Sequence, residues 1–184
     1  MVQVRRVNNR LMTIKLVVGE YTLNVLSAYA PQAGLDEEIK RRFWEGLDDI
    51  IRSILPSSRL FIGGDFNGHI GSSVGGYTEV HGDFGFWERN GGGTLLLEFA
   101  KAFDLVIANS SFPKREDHLV TYQSSGEKTQ IDYLLLRRCD RRLCKDCKVI
   151  PGDTLEMQHR FLVMDIGILI RRKKRSVRGC PRIR

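Results

Sequence analysis

Five polar residues lie at the ends of apolar, strand-like runs or interrupt one, and their side chains are of the types that act on phosphate esters. Tyr29 ends the run NVLSAY, Asp65 and Asn67 follow LFIGG, Asp132 interrupts TQIDYLLL, and His159 precedes FLVMDI. Strands hold side chains rigidly, and the loops at their ends give a substrate access. Carboxylates, an amide, a phenol and an imidazole form the set that metal-assisted phosphodiester chemistry needs.

Each of these residues also has an ordinary structural interpretation. Tyr29 suits half-buried packing, and the segment around Asp65 and Asn67 suits a turn, because Asp and Asn both favour turns. If that backbone is extended instead, the two side chains face the same way. Asp132 suits a structural carboxylate bound by a backbone group or an arginine, and a single histidine is commonly a surface residue. The functional interpretation therefore depends on the combination.

Two types of periodicity predict the elements that position these residues. Residues 13–29 predict a hairpin that turns at Gly19-Glu20, and residues 36–55 place apolar side chains on one helical face. A second helix is predicted over residues 94–103, with Thr94 as its N-cap. Further strands are predicted at 60–62, 105–109, 119–122, 130–136, 147–150 and 161–166. This pattern indicates an α/β or α+β protein with a mixed or antiparallel sheet.

Residues 68–93 hold nine of the 18 glycines and predict a long irregular segment, which in a compact domain is usually functional or mobile. Phe86 and Trp87 in this segment suit either contact with a nucleic-acid strand or anchoring of the loop. His69, His81 and His118 lie in polar loop segments, and we expect all three to be solvated.

Length and composition restrict the class of protein. A chain of 184 residues with 42% hydrophobic residues is sized for one domain with a real core. No apolar run approaches the roughly 18 residues of a membrane span, and the first residues lack the apolar region of a secretory signal. Four irregularly spaced cysteines favour a reducing compartment. We therefore expect a nuclear or cytoplasmic protein that is not secreted.

The net charge of +7 is mainly a property of the C-terminal end. Residues 171–184 contain eight Lys and Arg residues and no acid, whereas residues 1–170 hold 21 basic and 22 acidic residues. Such a segment suits either nuclear targeting and nucleic-acid attraction or a solvated, disordered end. Residues 137–148 form a second basic cluster with six bases and two acids. Its candidate nucleic-acid-binding residues are Arg137, Arg138, Arg141 and Arg142.

Three cysteines, Cys139, Cys144 and Cys147, lie close together in the sequence. The last two have the spacing of zinc ligands. The sequence offers no evident fourth ligand, so packing residues or free thiols are the favoured interpretation.

The order of these motifs resembles the endonuclease/exonuclease/phosphatase superfamily, and within it the apurinic-type endonuclease domain of non-LTR retrotransposons. Tyr29-Ala-Pro is followed 36 residues later by Asp65 of Gly-Asp-Phe-Asn, then by the Thr121-x(10)-Asp132 motif, and then by His159. The resemblance extends from about residue 10 to residue 168. It implies a DNase-I-like four-layer α/β/β/α sandwich over residues 1–170, N-terminally truncated, with a disordered basic tail at 171–184.

The resemblance also implies a role for each matched residue. Asp65 would bind the metal and activate or align the attacking water, and Asn67 would position that water or the phosphate. Asp132 would orient His159, whose imidazole would contact a phosphate oxygen and stabilise charge in the transition state. Tyr29 would place its phenol on the phosphate or near the leaving oxygen.

The implied cofactor is one Mg²⁺ ion, with Mn²⁺ as an alternative, and Thr121 would support the site from behind. Two departures reduce the expected activity. The only acid before Tyr29 is Glu20, so we expect the main metal-binding Glu of the family to be absent. A neutral Gln158 precedes His159, where the family has an aspartate. Because Mg²⁺ usually needs one or two carboxylates, we expect these losses to impair catalysis.

Three hypotheses of function follow from the sequence. The first is a Mg²⁺-dependent, retrotransposon-derived DNA endonuclease that leaves a 3′-hydroxyl, with impaired activity. The second is a non-catalytic nucleic-acid-binding or protein-interaction remnant that uses residues 137–148 and 171–184. The third keeps the fold and changes the substrate to a phosphoinositide or a small phosphate monoester. Basic character favours DNA as the partner, although all these substrates are polyanions.

Overall fold

The computed structural model describes residues 1–155 and 158–168, so the predicted boundary at residue 170 and the basic tail lie outside the described residues. The described part forms ten strands and two α-helices. In chain order these are β1 (Val2–Arg6), β2 (Leu11–Val18), β3 (Tyr21–Tyr29), α1 (Glu37–Ser53), β4 (Arg59–Asp65), α2 (Gly91–Ala102), β5 (Leu105–Ile107), β6 (Tyr122–Gln123), β7 (Lys128–Thr129), β8 (Asp132–Arg137), β9 (Cys144–Leu155) and β10 (His159–Ile166). Neither α-helix is long and apolar enough to cross a membrane.

The strands form two sheets that pack face to face. One sheet has six strands in the order β1-β2-β3-β4-β8-β5, and the other has four in the order β7-β6-β10-β9. Strands β3 and β4 are parallel because α1 connects them, and every other pairing is antiparallel. The predicted α/β class and two-sheet sandwich are therefore confirmed.

Both α-helices pack on the outer face of the six-stranded sheet. Helix α1 buries Phe43, Leu47 and Ile51, which recur every four residues on one face. Helix α2 buries Leu96 and Leu97 against the same sheet. Each fully buried side chain of this size stabilises the fold by roughly 1.5–3 kcal/mol. This helix layer fixes the ends of β3 and β4, where the sequence places Tyr29 and Asp65.

A second apolar core fills the space between the sheets. Its members include Phe61, Val106 and Leu136 from the six-stranded sheet, against which Leu162 and Met164 of β10 pack. The described residues thus supply three layers, namely the helices, the six-stranded sheet and the four-stranded sheet. On the outer face of the four-stranded sheet, Phe161 and Val163 of β10 remain exposed.

The hairpin prediction is confirmed, since β2 and β3 pair in register around Gly19-Glu20. The predicted N-cap of the second helix is wrong: α2 begins at Gly91, and the Asn90 side chain accepts the backbone N–H of Gly93. Thr94 lies within the first turn, where its hydroxyl donates to the Asn90 carbonyl oxygen. The asparagine is the better cap because its side-chain oxygen also accepts from His69 N.

Two strand predictions are too long. Strand β5 ends at Ile107, and the chain turns through a 3₁₀ helix at Ala108–Ser110. The strand predicted over 119–122 retains only Tyr122, because the Glu116–His118 turn ends just before it and residues 119–121 form no ladder. Strand β1, at the edge of the six-stranded sheet, has no apolar alternation strong enough to predict it.

The glycine-rich segment is irregular over residues 68–90, as predicted, but it is well anchored. The Arg89 guanidinium donates to four backbone carbonyl oxygens between Ile70 and Gly75. The expectation that His81 is solvated is wrong, because it is 1% exposed. Its Nε2 lies 2.9 Å from the Gly71 carbonyl oxygen, and its Nδ1 accepts from Asp83 N. Burial lowers the pKa of His81, which favours the neutral ring.

Candidate active site

One row of polar side chains crosses the end of the six-stranded sheet. Tyr29 on β3 is in register with Asp65 on β4, and Asp65 is in register with Asp132 on β8. Arg10 extends the row, because Tyr29 N donates to its carbonyl oxygen at 2.9 Å. In-register neighbours project from the same face of a sheet. The row therefore lies on the face toward the second sheet, opposite the helices.

The second sheet contributes a histidine to this row. His159 is the first residue of β10 and pairs with Tyr122 on β6. Its Nδ1 lies 3.1 Å from Asp132 Oδ2. Ligand atoms of Asp65, Asp132 and His159 all lie within 4.8 Å of one another, and no other group of three such residues does so among the described residues. Two sheets are thus required to assemble the cluster.

Burial raises the pKa of Asp65 to about 6, and the negative charge of Asp132 acts in the same direction. The backbone N–H of Asn67, which donates to Asp65 Oδ1 at 2.8 Å, and the nearby His159 oppose the shift. A carboxyl group with this pKa is ionised at neutral pH and still basic enough to accept a proton. Asp65 therefore has the acid–base character of a group that activates water.

Asp65 and Asn67 are connected by a turn and not by extended backbone. Asn67 has a φ of 49°, a conformation that Asn tolerates better than most residues. Its Nδ2 donates to the Ala30 carbonyl oxygen at 2.8 Å, which joins the turn to the end of β3. Gly64, just before Asp65, allows β4 to lie close to the end of β3, since a Cβ atom at position 64 would lie 1.7 Å from the Ala28 carbonyl oxygen.

Thr121 holds the backbone that carries Asp132. Its buried hydroxyl oxygen accepts from the backbone N–H groups of both Ile131 and Asp132 at 3.0 Å. Gln158 is exposed, and its side-chain oxygen accepts from the Tyr122 hydroxyl at 2.8 Å. The structure thus places Thr121 behind Asp132, and it places Gln158 beside the ring that packs against His159.

The sequence did not single out two residues that contact this site. Asn109 is 2% exposed, and its Nδ2 donates to the Asp132 carbonyl oxygen while its Oδ1 accepts from Leu134 N. Arg10 donates to the Tyr29 carbonyl oxygen, and its guanidinium carbon lies 5.2 Å from the Tyr29 ring centroid. Asn109 could have been found from the sequence, because it is a polar residue at the end of the apolar run LVIA. No local sequence pattern identifies Arg10.

The cluster fits a divalent cation in part. Asp65 and Asp132 offer the carboxylate oxygens that a hard cation prefers, and His159 adds an imidazole. Glu20 does not add a third carboxylate, because it lies in the β2–β3 turn while Tyr29 ends β3. Eight strand residues separate that turn from the site, or roughly 26 Å at about 3.3 Å per residue. The residues present provide fewer carboxylates than a strong Mg²⁺ site usually has.

The second basic cluster lies away from this site. Strand β8 begins at Asp132 and ends at Arg137, so Arg137 and the residues after it lie at the opposite end of the sheet. Arg138 is paired with Asp104, and Arg141 lies over the Phe112 ring. Nucleic-acid binding by Arg137, Arg138, Arg141 and Arg142 therefore remains a prediction about a separate surface.

Of the three cysteines that the sequence places close together, two pack in the core and one is exposed. Cys144 and Cys147 are buried in the core between the sheets, and Cys139 is exposed. Burial raises the pKa of both inner thiols, which keeps them protonated and poor metal ligands. Among the described residues they contribute to no group of candidate ligands.

The chain is similar in sequence to craniofacial development protein 2 from two mammals. No protein-family model matches it. It is 31% identical over 159 residues to craniofacial development protein 2 of Bos taurus, which aligns 85% of this chain with 26% of that protein. With craniofacial development protein 2 of Tragulus javanicus the identity is 29% over 178 residues, or 94% of this chain and 30% of that protein. The chain thus spans between a quarter and a third of the length of these relatives.

Solved structures share the fold at low sequence identity. The endonuclease domain of TRAS1, a telomere-specific non-LTR retrotransposon, superposes with a TM-score of 0.65 and 16% identity over 91% of this chain and 69% of that one. The 3′ phosphatase NExo from Neisseria, bound to a product DNA hairpin, gives 0.66 and 13% over 91% and 72%. The chain is thus similar in sequence to part of craniofacial development protein 2, and it shares the fold of the TRAS1 endonuclease domain and of NExo.

Proposed function

We propose that this chain hydrolyses phosphodiester bonds in DNA with the help of Mg²⁺, as a weakly active endonuclease domain of retrotransposon origin. The observation that carries the proposal is the group Asp65, Asp132 and His159, assembled from two sheets with ligand atoms within 4.8 Å. The TRAS1 endonuclease domain and the DNA-bound NExo share the fold, which supports DNA as the substrate.

Each side chain has a proposed role that its position and charge support. Asp65 aligns the attacking water and accepts its proton as the water oxygen forms its bond to phosphorus. His159, fixed by Asp132, presents its other ring nitrogen to a phosphate oxygen, where it stabilises the developing charge. Tyr29 and Arg10 lie along the same row and bind the phosphate. The ester bond between phosphorus and the 3′ oxygen then breaks, the leaving oxygen takes a proton from solvent water to become the 3′-hydroxyl, and the attacking oxygen stays on the 5′-phosphate.

The divalent cation would be held by Asp65 and Asp132, and it would supply Lewis-acid neutralisation of the phosphate. Two carboxylates form a weak site for Mg²⁺, since Glu20 is remote and Gln158 is neutral. Low activity, with a requirement for millimolar metal, is therefore part of the proposal.

Nicking of supercoiled plasmid tests this function. At roughly 5 to 10 mM Mg²⁺, we expect slow nicking by the wild-type chain and none by Asp65→Ala or His159→Ala. Asp49→Ala, which removes an exposed carboxylate from α1, is the matched control and retains activity. Absence of wild-type nicking from folded protein, or nicking that survives both site substitutions, would contradict the proposed function.

A second candidate is DNA binding without cleavage, favoured by the eight Lys and Arg residues at 171–184. Binding through this segment weakens steeply with salt because counterions are released from the phosphates. Deleting residues 171–184 would then abolish affinity, and it would also redistribute the protein to the cytoplasm if the segment acts in nuclear import. Unchanged affinity after the deletion would exclude this surface.

A further inference from the structure

Trp87 is the most exposed aromatic side chain in the described part of the chain, with 58% of its surface accessible. It lies in the glycine-rich segment, which suits either contact with a nucleic-acid strand or anchoring of the loop. The neighbouring Phe86 ring is half-buried and meets the Trp87 ring edge-on, with the centroids 6.0 Å apart. A ring that anchors a loop is buried beneath it, whereas more than half of the Trp87 side chain is in solvent.

Trp87 also has an unusual backbone conformation. Its φ is 65°, in the left-handed region that disfavours residues with a bulky side chain. Neighbouring groups hold this conformation, because Trp87 O accepts from Ser72 N at 2.9 Å and the Arg89 guanidinium binds the backbone of residues 70–75. A glycine would fit this position with less strain. Local folding therefore does not explain a tryptophan here, and strain of this kind clusters at ligand-binding positions.

One end of the segment around Trp87 is attached beside Asp132. Phe86 N donates to Oε1 of Gln130 at 3.1 Å, and Gln130 is 1% exposed. Gln130 lies two residues before Asp132, which is at most roughly 7 Å along the chain. The residue that precedes Trp87 therefore contacts the chain just before the strand that begins with Asp132.

The other end of the segment is attached beside Asp65. Asn90 N donates to the carbonyl oxygen of His69 at 3.1 Å, and the Asn90 side chain accepts from His69 N at 2.9 Å. His69 follows Asn67 by two residues, and Asn67 N donates to the Asp65 carboxylate. Residues 86–90 thus run between the β8 end and the β4 end of the candidate site. Their position on its rim is within a few nucleotides of a bound phosphate, since nucleotides in one strand of a duplex rise by about 3.4 Å each.

The charges around Trp87 favour contact with a base over contact with a phosphate. Asp83 and Glu88 are exposed acids on either side of it, and the guanidinium of Arg89 is already bound to backbone oxygens. An indole offers a face on which a nucleobase can stack, whatever the sequence. Trp87 therefore suits a contact that adds affinity without adding positive charge.

We propose that Trp87 stacks on a nucleobase of the DNA strand whose phosphate is bound at Asp65, and that this contact positions the strand for cleavage. The inference rests on the proposed function, because it presumes DNA at the site. It makes Trp87 a substrate-binding residue that takes no part in proton transfer or in stabilising the charge of the phosphate.

Fluorescence tests this contact without any need for catalysis. An oligodeoxyadenylate of about 12 nucleotides, within the usual site sizes for single strands, should quench the emission of the wild-type chain in a saturable way. An oligomer of equal length with tetrahydrofuran units in place of the nucleosides carries the phosphates without the bases, and we expect no quenching from it. Trp87→Phe should remove the quenching, because Trp44, the other of the two tryptophans, packs against Phe66 and Phe99. Equal quenching by the two oligomers, or quenching by neither, would overturn the proposal.

Two substitutions separate stacking from anchoring of the loop. Trp87→Phe keeps an aromatic face, whereas Trp87→Leu keeps an apolar side chain that cannot stack. In anisotropy titrations of the labelled oligodeoxyadenylate, we expect Trp87→Phe to stay within about threefold of the wild-type affinity and Trp87→Leu to lose at least tenfold. Leu55→Ala, which removes an exposed apolar side chain after α1, is the control and retains affinity. Urea midpoints show whether each variant is folded, and equal affinities of folded Trp87→Phe and Trp87→Leu overturn the proposal.

The salt dependence of binding gives a readout that a change in the fold would not mimic. Trp87 contributes no charge, so the loss in Trp87→Leu should be the same factor at every salt concentration. The slope of log affinity against log salt should then match that of the wild type. A shallower slope would mean that the substitution displaces basic residues from phosphates, and it would contradict a stacking role.

The outcomes separate the two proposals. Base-dependent quenching through Trp87 in a chain that nicks no plasmid supports Trp87 as a DNA contact and contradicts the proposed function. Plasmid nicking at equal rates by wild type and by folded Trp87→Leu, with no quenching, supports the proposed function and overturns the role of Trp87.

Discussion

His159 Nδ1 lies 3.1 Å from Asp132 Oδ2, and the two residues belong to different sheets. This contact joins the sheets at the end of the sandwich where the row of polar side chains lies. Asp132 is in turn fixed at its backbone by Thr121 and Asn109. The imidazole is therefore held by a carboxylate that cannot move independently of β8.

Asp132→Asn tests this arrangement, because it keeps the size of the side chain and removes its charge. The amide holds the His159 ring against the phosphate less firmly, and we expect nicking to fall by roughly 10²- to 10³-fold, the usual range for loss of one group that stabilises charge in the transition state. Plasmid assays of Asp132→Asn and His159→Ala, alone and combined, provide the measurement. If the two residues act as a unit, the double variant is no slower than the worse single variant, whereas additive losses would contradict this coupling.

The raised pKa of Asp65 predicts how activity depends on pH. Protons and Mg²⁺ compete for the Asp65 carboxylate, so at subsaturating Mg²⁺ nicking should increase as pH rises through about 6. Initial rates between pH 5 and 8 at a low, fixed Mg²⁺ concentration check this. Glu or Asp side chains with ordinary pKa values would give a rise near pH 4 instead. A flat profile above pH 5 would contradict the assignment of Asp65 as a metal ligand.

The same pKa makes a prediction about stability. Because the folded-state pKa lies above the unfolded value, the folded form binds more protons between about pH 4 and 6, and stability falls as pH rises through that window. Asp65→Asn removes the buried charge and keeps an acceptor for Asn67 N. With metal chelated, we expect the variant to be more stable than wild type above pH 6, by about 1–2 kcal/mol after allowance for partial exposure, and no different below pH 4. Urea midpoints at several pH values check this, and a constant difference would contradict it.

Arg10 is expected to position Tyr29 and to attract the phosphate. Its guanidinium lies over the Tyr29 ring and donates to the Tyr29 carbonyl oxygen. Arg10→Met keeps the length of the side chain and removes the charge, and we expect a rise in KM and about a tenfold loss of kcat/KM, as for loss of roughly 1.4 kcal/mol of binding. Arg5→Met, on the exposed β1 strand, is the control. If both substitutions lowered kcat/KM equally, the effect would come from the overall loss of positive charge and not from the position of Arg10 beside Tyr29.

Local sequence patterns predicted the elements with strong periodicity. Helix α1 was predictable from Phe43, Leu47 and Ile51 on one face, and the β2–β3 hairpin from two β-rich runs around Gly19. Edge strand β1 was not, because its apolar alternation is limited to Val2 and Val4, and both of these valines are exposed. Strand ends were also overestimated where a 3₁₀ turn continues an apolar run, as at Ala108–Ser110.

The candidate site was partly predictable for a related reason. Asp65, Asp132 and His159 each interrupt or border an apolar strand, which is visible in the sequence. Arg10 and Asn109 act through register between strands that are distant in the chain, and no local pattern records that. His81 was misjudged because its burial depends on the path of the whole glycine-rich segment around it.

The buried hydrogen bonds of Asn109 predict that replacing this residue destabilises the fold. Its side chain bonds both the carbonyl oxygen of Asp132 and the N–H of Leu134 in a fully buried position. Asn109→Ala leaves both groups without a partner, and we expect a loss of about 1–3 kcal/mol in the free energy of unfolding. Asn9→Ala, at an exposed turn, should change nothing. Urea unfolding measures both variants, and a loss below 0.5 kcal/mol, the usual limit for surface substitutions, would mean that water replaces the amide.

The hydrogen bonds of Arg89 predict that the glycine-rich segment is rigid, because this one side chain bonds the backbone of the segment at several points. Its guanidinium bonds carbonyl oxygens between Ile70 and Gly75 and lies over the Tyr77 ring. A lysine at this position has one nitrogen and cannot reach all four oxygens. In Arg89→Lys we expect amide hydrogen exchange at residues 70–77 to accelerate at least tenfold, while exchange in β4 and β8 is unchanged. Arg42→Lys, on the exposed face of α1, is the control. Unchanged exchange at 70–77 would mean that the segment is held by its backbone turns, whereas acceleration in β8 would mean that the segment also supports Asp132.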